Sequence, residues 1–294
     1  MLEFRELRLS DKPWVDELLA ISDFRGCDYC FANNLAWRRL NDTKITRYKD
    51  FYISASGSGE DFYFTFPAGG GDYADVLSEM KAYAAVNGLP FRVASVSDEM
   101  IPLFSEIYGD GIKISTDPGN YDYIYNAADL MELKGKKYHQ KRNHLNNFYK
   151  NEWEFYPLTE KYFDECIEFA VNSYNESNGY DSKSSVSEQF AINTFFNHFD
   201  ELGLKGGVLL VSGKLVGFTI GERINSDTLG VHIEKAYHDV QGAYAAVNNE
   251  FAKLCGKDFA YINREEDLGI EGLRKSKLSY YPAFQIKRST IEIL

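Results

Sequence analysis

Two stretches of this chain spell out the same succession of secondary-structure signals, and that repetition limits the available folds more than any other feature. From residue 151 onward, 153–156 reads as a strand and 160–176 as a helix, with Phe163, Ile167, Ala170 and Tyr174 at helical spacing. A polar Gly/Ser loop at 179–187 precedes a helix at 188–202 that puts Phe195, Phe199 and Leu202 on one side. Segments 207–211 and 215–221 form a hairpin around Ser212-Gly213-Lys214. Strand 228–235, helix 242–254, strand 259–263, helix 269–278 and strand 283–287 complete the order β-α-α-β-β-β-α-β-α-β.

The first half follows that order. Strand 2–7 leads to helices at 14–21 and 31–40, then short strands at 44–48, 51–55 and 61–66. Helix 73–86 is closed by Asn87-Gly88. Strand 91–94, helix 98–108, strand 112–115 and an extended piece at 121–125 follow. The halves share no evident sequence identity, so the repeat lies in the elements. It predicts an α/β (α+β) protein of two tandem domains, 1–130 and 151–294, each a mixed, mostly antiparallel sheet flanked by helices. Residues 131–150 form a basic helix or linker between them. A length of 294 residues suits two domains.

Composition narrows the function classes. The longest apolar runs fall short of the roughly 18 residues of a membrane-spanning helix, and MLEFRELRLSDKP lacks the pattern of a secretory signal. A cytoplasmic location is expected. A formal net charge of −12 argues against a broad nucleic-acid surface and against DNA as a partner. Cys27 and Cys30 have CxxC spacing, but no second ligand pair exists for zinc, and the motif follows a helical segment instead of a strand. No metal is expected.

Positive charge is concentrated in the run LKGKKYHQKRNHLNNFYK at 133–150, which holds six of the 32 lysines and arginines and no acid. On a helix, Lys134, Lys137, Lys141 and His144 share one face, and Tyr138, Leu145 and Tyr149 form an apolar stripe. Lys137, Lys141, Arg142 and His144 are therefore candidates for binding an anion. The plainer alternative is a solvated helix balancing acidic neighbours.

The repeated order matches that of the GNAT acetyltransferase fold. More specifically, LKGKKYHQKRNHLNNF and INREEDLGIEGLRKSKLSYYPAF resemble the bacterial family DUF2156, grouped with the C-terminal domain of phosphatidylglycerol lysyltransferases. The resemblance implies a tandem GNAT protein like the Fem peptidyltransferases, which move an amino acid from aminoacyl-tRNA to an amine or hydroxyl. It leaves the donor open between aminoacyl-tRNA and acyl-CoA, and makes tRNA a candidate partner. The lysyltransferases carry a large membrane part that this sequence does not show, so a soluble acceptor is expected.

Candidate site residues follow from both lines. Gly242, opening the helix after strand 228–235, lies where acetyltransferases hold phosphates on backbone amides, although Asp239 stands where that motif has arginine or glutamine. Ala68-Gly69-Gly70-Gly71, ahead of helix 73–86, is a second candidate anion cradle, and a flexible turn without a ligand is the preferred reading. Arg264 and Asp267 follow a strand, where α/β sheets place chemistry, and the resemblance extends to Leu273, Arg274, Lys277 and Pro282. Arg264, Asp267, Arg274 and Lys277 are therefore substrate-binding candidates, with a capped, salt-bridged helix as the structural alternative. His232 and Glu234 share one face of a strand and are candidate bases, and Tyr281, beside Tyr280, is a candidate oxyanion donor. The leading reading is an aminoacyl- or acyltransferase. The alternative is a ligand-binding or regulatory protein that kept the fold without turnover.

Overall fold

The computed structural model describes residues 1–176 and 183–294 and arranges them around two mixed sheets. The chain begins with β1 (Arg5–Glu6), α1 (Lys12–Ser22), α2 (Phe31–Trp37), β2 (Lys44–Tyr48), β3 (Phe51–Ser56), β4 (Tyr63–Thr65) and β5 (Ala68–Gly69). It continues through α3 (Tyr73–Val86), β6 (Arg92–Val96), α4 (Ile101–Tyr108), β7 (Ile112–Thr116), β8 (Asp122–Asn126), α5 (Ala127–Glu132) and α6 (His139–Phe148). Next come β9 (Trp153–Pro157), α7 (Phe163–Glu176), α8 (Lys183–Asn197), α9 (Phe199–Leu202), β10 (Lys205–Val211), β11 (Lys214–Arg223) and β12 (Thr228–Ala236). The last elements are α10 (Ala243–Cys255), β13 (Tyr261–Asn263), α11 (Glu271–Leu278), β14 (Phe284–Ile286) and β15 (Ser289–Ile293). None of the described helices is long and apolar enough to cross a membrane.

Local chemistry explains most boundaries. Asp72 accepts hydrogen bonds from the amides of Ala74 and Asp75 and so starts α3. Ser212 and Gly213, at φ 48° and 76°, supply the paired positive dihedrals of a two-residue hairpin between β10 and β11. The loop expected at 179–187 lies partly outside the described residues, and α8 begins already at Lys183.

The basic run is not one helix. Leu133 and Gly135 adopt φ 46° and 88°, ending α5 and leaving a single 3-10 turn at Lys136–Tyr138 before α6. Arg142 clasps this break by donating to the carbonyls of Leu133 and Gly135. Lys137 therefore sits off the helix that carries Lys141 and His144. The apolar stripe does its packing: Tyr138, Leu145 and Phe148 are buried, and Tyr149 stacks on Trp153.

The sheets exchange strands. The first runs β1-β2-β3-β4-β6-β15-β7, with β5 against β3; the second runs β14-β8-β13-β12-β11-β10-β9. Thus β8, which precedes residue 130, lies in the second sheet, and β15, from the far end of the chain, lies between β6 and β7 in the first. Strands cross the expected division at 130 and 151 in both directions. The core crosses it too. Val15, Leu18, Phe31 and Leu35 from α1 and α2 pack in one apolar cluster with Phe169, Phe195 and Phe218. A second cluster joins α5, α6 and α10 to the opposite face of the second sheet, and a third holds α3 and α4 to the first.

Ile291 on β15 has no solvent exposure and belongs to the first-sheet core. Ile291→Ala should cost about 2–4 kcal/mol. Because β15 reaches the first sheet from the second, calorimetry should still show one cooperative transition. Two independent transitions would contradict this coupling.

Candidate functional site

The chemistry gathers where the segment after β13 meets the two sheets. Asn263 is fully buried and donates to Asp122 and to the carbonyl of Arg25, and its own side-chain oxygen accepts from the amide of Glu265. That clamp holds Glu265 at φ 57°, a left-handed conformation uncommon for a residue with a side chain. As a result three consecutive side chains, Arg264, Glu265 and Glu266, reach three different partners. Arg264 pairs with Glu234 at 2.6 Å, Glu265 meets His232 at 2.8 Å, and Glu266 meets Arg288 at 3.2 Å.

His232 is caught between two carboxylates. Nδ1 faces Glu265, and Nε2 lies 3.1 Å from Glu222. Burial alone would lower its pKa, but Cys30 and the two carboxylates outweigh burial and hold it well above the usual histidine range. A protonated ring with both nitrogens engaged orients its neighbours and is a poor base.

Arg288 occupies the turn between β14 and β15 and is almost fully buried. Its guanidinium meets Asp28 at 2.5 Å, Asp122 at 2.8 Å and Glu266 at 3.2 Å, and Nε donates to the carbonyl of Asn120. Burial, reinforced by Glu265, Asp122 and Asp28 and opposed by Arg288, pushes Glu266 up to about 7. Asp28 goes the other way: burial disfavours its charge, but Arg288 and the Ser95 hydroxyl hold it below the usual carboxylate range. Cys27, against Asp122 and Glu266, is driven up as a thiol by burial and by those carboxylates.

These groups line or underlie a cleft of about 1080 Å³ between the sheets, walled by both halves of the chain. Among the described residues, two sets of ligand-type atoms lie within 4.8 Å of one another: Cys30, Glu222 and His232, and Cys27, Asp122 and Glu266. In each set a cation of the protein, His232 or Arg288, already balances the carboxylates, so neither needs an ion for charge compensation.

The structure brings His232, Glu234, Arg264 and Lys277 to this cleft. Lys277 is buried and donates to the carbonyls of Arg264 and Glu266, fixing the segment that carries them. Asp267 lies beneath the cleft wall without solvent exposure, accepting from Tyr123, the Gly269 amide and the Arg274 fork. The Arg274 fork, helped by Tyr123 and the Gly269 amide, lowers the pKa of Asp267 to about 2 against the opposing effect of burial. Arg274 itself and Tyr281 are half-exposed and outside the lining.

In the basic run, Lys137 pairs with Asp129, His144 is exposed, and Arg142 serves the turn. Lys141 stands apart: its ammonium sits 3.7 Å from the Tyr280 ring centroid, and burial, then the charge of Arg264, lowers its pKa to about 8. Gly242 takes φ 84° at the start of α10, where an added Cβ would lie 2.4 Å from the His144 carbonyl oxygen. Helix α6 therefore packs directly on the helix start at which an anion cradle is expected. Glu265, Glu266, Glu222, Asp28, Asp122 and Arg288 were not among the sequence candidates. The acid pair following Arg264 was the one visible signal for any of them.

Comparisons with known proteins agree with this architecture. The family model described as phosphatidylglycerol lysyltransferase, C-terminal, matches residues 19–292. A conserved protein of unknown function from Bacteroides thetaiotaomicron superposes with TM-score 0.96 at 36% identity, covering 100% of both chains. L-PGS from Bacillus licheniformis gives TM-score 0.66 at 15% identity over 95% of this chain and 91% of that one. A tandem GNAT protein from the clavulanic acid biosynthesis pathway gives 0.52 at 9% identity over 100% and 99%. These last two likenesses concern the fold, which is that of two tandem GNAT-like units. An uncharacterised protein of Mycoplasmoides gallisepticum is 24% identical over 176 residues, 59% of this chain and 56% of that relative.

Two outcomes follow. Arg274→Ala removes two of the hydrogen bonds to buried Asp267 and should lower the melting temperature. An unchanged melting temperature would show the pair to be dispensable to the fold. Glu266 has a folded-state pKa raised from 4.5 to about 7, so its contribution to stability is complete below 4.5 and lost as pH rises through 7. Glu266→Gln, which stays neutral, should therefore flatten the fall in melting temperature across that interval. Parallel wild-type and variant profiles would contradict the assignment.

Proposed function

The chain belongs to the phosphatidylglycerol lysyltransferase C-terminal family, and from that premise we propose that it is an aminoacyl- or acyltransferase acting on an amine or hydroxyl. The observation that carries this reading is the two-ended charge of the cleft. At one end Asp28, Asp122 and Glu266 surround a single arginine, and at the other the guanidinium of Arg264 pairs with Glu234. An acid-rich floor suits an amine, and a carboxylate with a pKa of about 7 suits general-base work near neutrality.

In the proposed step Glu266 takes the proton from the acceptor amine or hydroxyl. The acceptor lone pair forms a bond to the donor's carbonyl carbon, the carbon–oxygen bond to the carrier breaks, and the carrier oxygen leaves with the proton that Glu266 took up, which restores the carboxylate. His232 acts as a positioning residue through Glu265. The close packing of α6 on Gly242 favours aminoacyl-tRNA over acyl-CoA as donor, because it crowds the helix start at which acetyltransferases hold a pyrophosphate. Asp239, a carboxylate in the same stretch, adds repulsion for a pyrophosphate.

Single-turnover assays with labelled aminoacyl-tRNA and with labelled acetyl-CoA, each offered amine and hydroxyl acceptors, test the proposal. Transfer is expected from the aminoacyl-tRNA, with Glu266→Gln slower by about 10²–10⁴-fold. Transfer from neither donor would overturn it in favour of a binding protein.

A further inference from the structure

We infer that the Arg264 end of the cleft is a binding site for a substrate oxyanion, a phosphate or a carboxylate. This deepens the transferase reading and rests on it for the role of the anion, but not for its binding. Arg264 lines the cleft, yet its side chain is only 9% exposed. Nη2 is spent on Glu234, whereas Nη1 is buried with no hydrogen-bond partner among the described residues. A buried guanidinium normally fills its fork with carboxylate or phosphate oxygens, and leaving one arm unmatched is unfavourable.

The surroundings select for negative charge. The Arg264 guanidinium carbon lies 4.8 Å from the centroid of Tyr280 and 5.7 Å from that of Tyr125, so aromatic faces exclude water on that side. Lys141 lies over Tyr280 and has no hydrogen bond or ion pair among the described residues. Arg264 and Lys141 act on each other electrostatically, and Glu234 is the carboxylate that acts on both. Asn248 donates to the second oxygen of Glu234, which turns that carboxylate away from further demands. Arg264 and Lys141 thus share the single carboxylate of Glu234, whereas Lys277 is acted on by Glu265, Glu266 and Asp122.

Titration calorimetry on the full chain, without any acyl donor, tests this with inorganic phosphate, pyrophosphate and N-acetylglycine as probes. Saturable binding of at least one probe is expected. A tenfold preference between the phosphate and carboxylate arms identifies the source. Arg264→Gln should weaken binding about ten- to a hundredfold, and Glu234→Gln should tighten it by removing the competing carboxylate. If Arg264→Gln does not fold, the Glu234→Gln/Arg264→Gln double variant removes the pair together and should bind about ten- to a hundredfold more weakly than Glu234→Gln. Affinity should also fall as pH rises through about 8, where Lys141 loses its charge, and Lys141→Ala should abolish that slope. Lys134→Ala, whose side chain is exposed and paired with Glu132, should leave binding unchanged.

Absence of saturable binding by all three probes would overturn the inference. So would Arg264→Gln binding as tightly as the wild type, or Glu234→Gln binding more weakly. Anion binding without any transfer would leave this site standing while the transferase reading falls. Transfer that persists unchanged in Arg264→Gln would overturn the site alone.

Discussion

The guanidinium of Arg288 is the point on which the two sheets depend. It sits at the turn where the chain leaves β14 in the second sheet and enters β15 in the first, and it is buried there. A buried cation persists only when carboxylates and hydrogen bonds replace its water. Asp28, Asp122, Glu266 and the carbonyl of Asn120 do so from separate segments of the chain. A lysine would offer a point charge, whereas the planar fork addresses several carboxylates at defined angles. The same contacts that seat the crossing therefore also seat Glu266 at the edge of the cleft.

From that anchor the rest of the site is a matter of direction. Strand β13 runs parallel to β12, so its end delivers residues 264–266 next to the face of β12 that carries His232 and Glu234. The left-handed backbone at Glu265 turns successive side chains to opposite ends of the cleft. One short segment thereby separates charge: its arginine supplies the positive end, and its second glutamate is balanced at the acidic end by Arg288. Burial first, and then the like charges beside them, moves Glu266 and Lys141 toward neutral titration.

Much of the fold was legible because its signals are local. The bounds of α3, β2 and the β10–β11 hairpin follow from caps, alternation and a Ser-Gly turn that act within a few residues. The destination of a strand is not local. Residues 289–293 alternate as a strand should, but nothing in them records that their partners are β6 and β7. For the same reason the acids of the cleft were recognised only in part. Glu265 and Glu266 were visible beside Arg264, whereas Asp28, Asp122 and Arg288 acquire meaning only when long-range pairing brings them together. The break in the basic run had a local mark, Gly135, which the charge pattern overshadowed. Gly242 shows the opposite case: a small residue at a helix start, expected as a ligand cradle, is small because another helix packs on it.

The exchanged strands also bear on how the protein comes into being. During synthesis β6 and β7 emerge early, but the strand that belongs between them follows the entire second sheet. Until then the first sheet has a gap with two unsatisfied edges, each presenting free amides and carbonyls to whatever is near. The second sheet, by contrast, already holds β8 from the earlier part of the chain and can assemble as its own strands appear. The order of completion thus runs against the order of the sequence: the unit that starts first closes last.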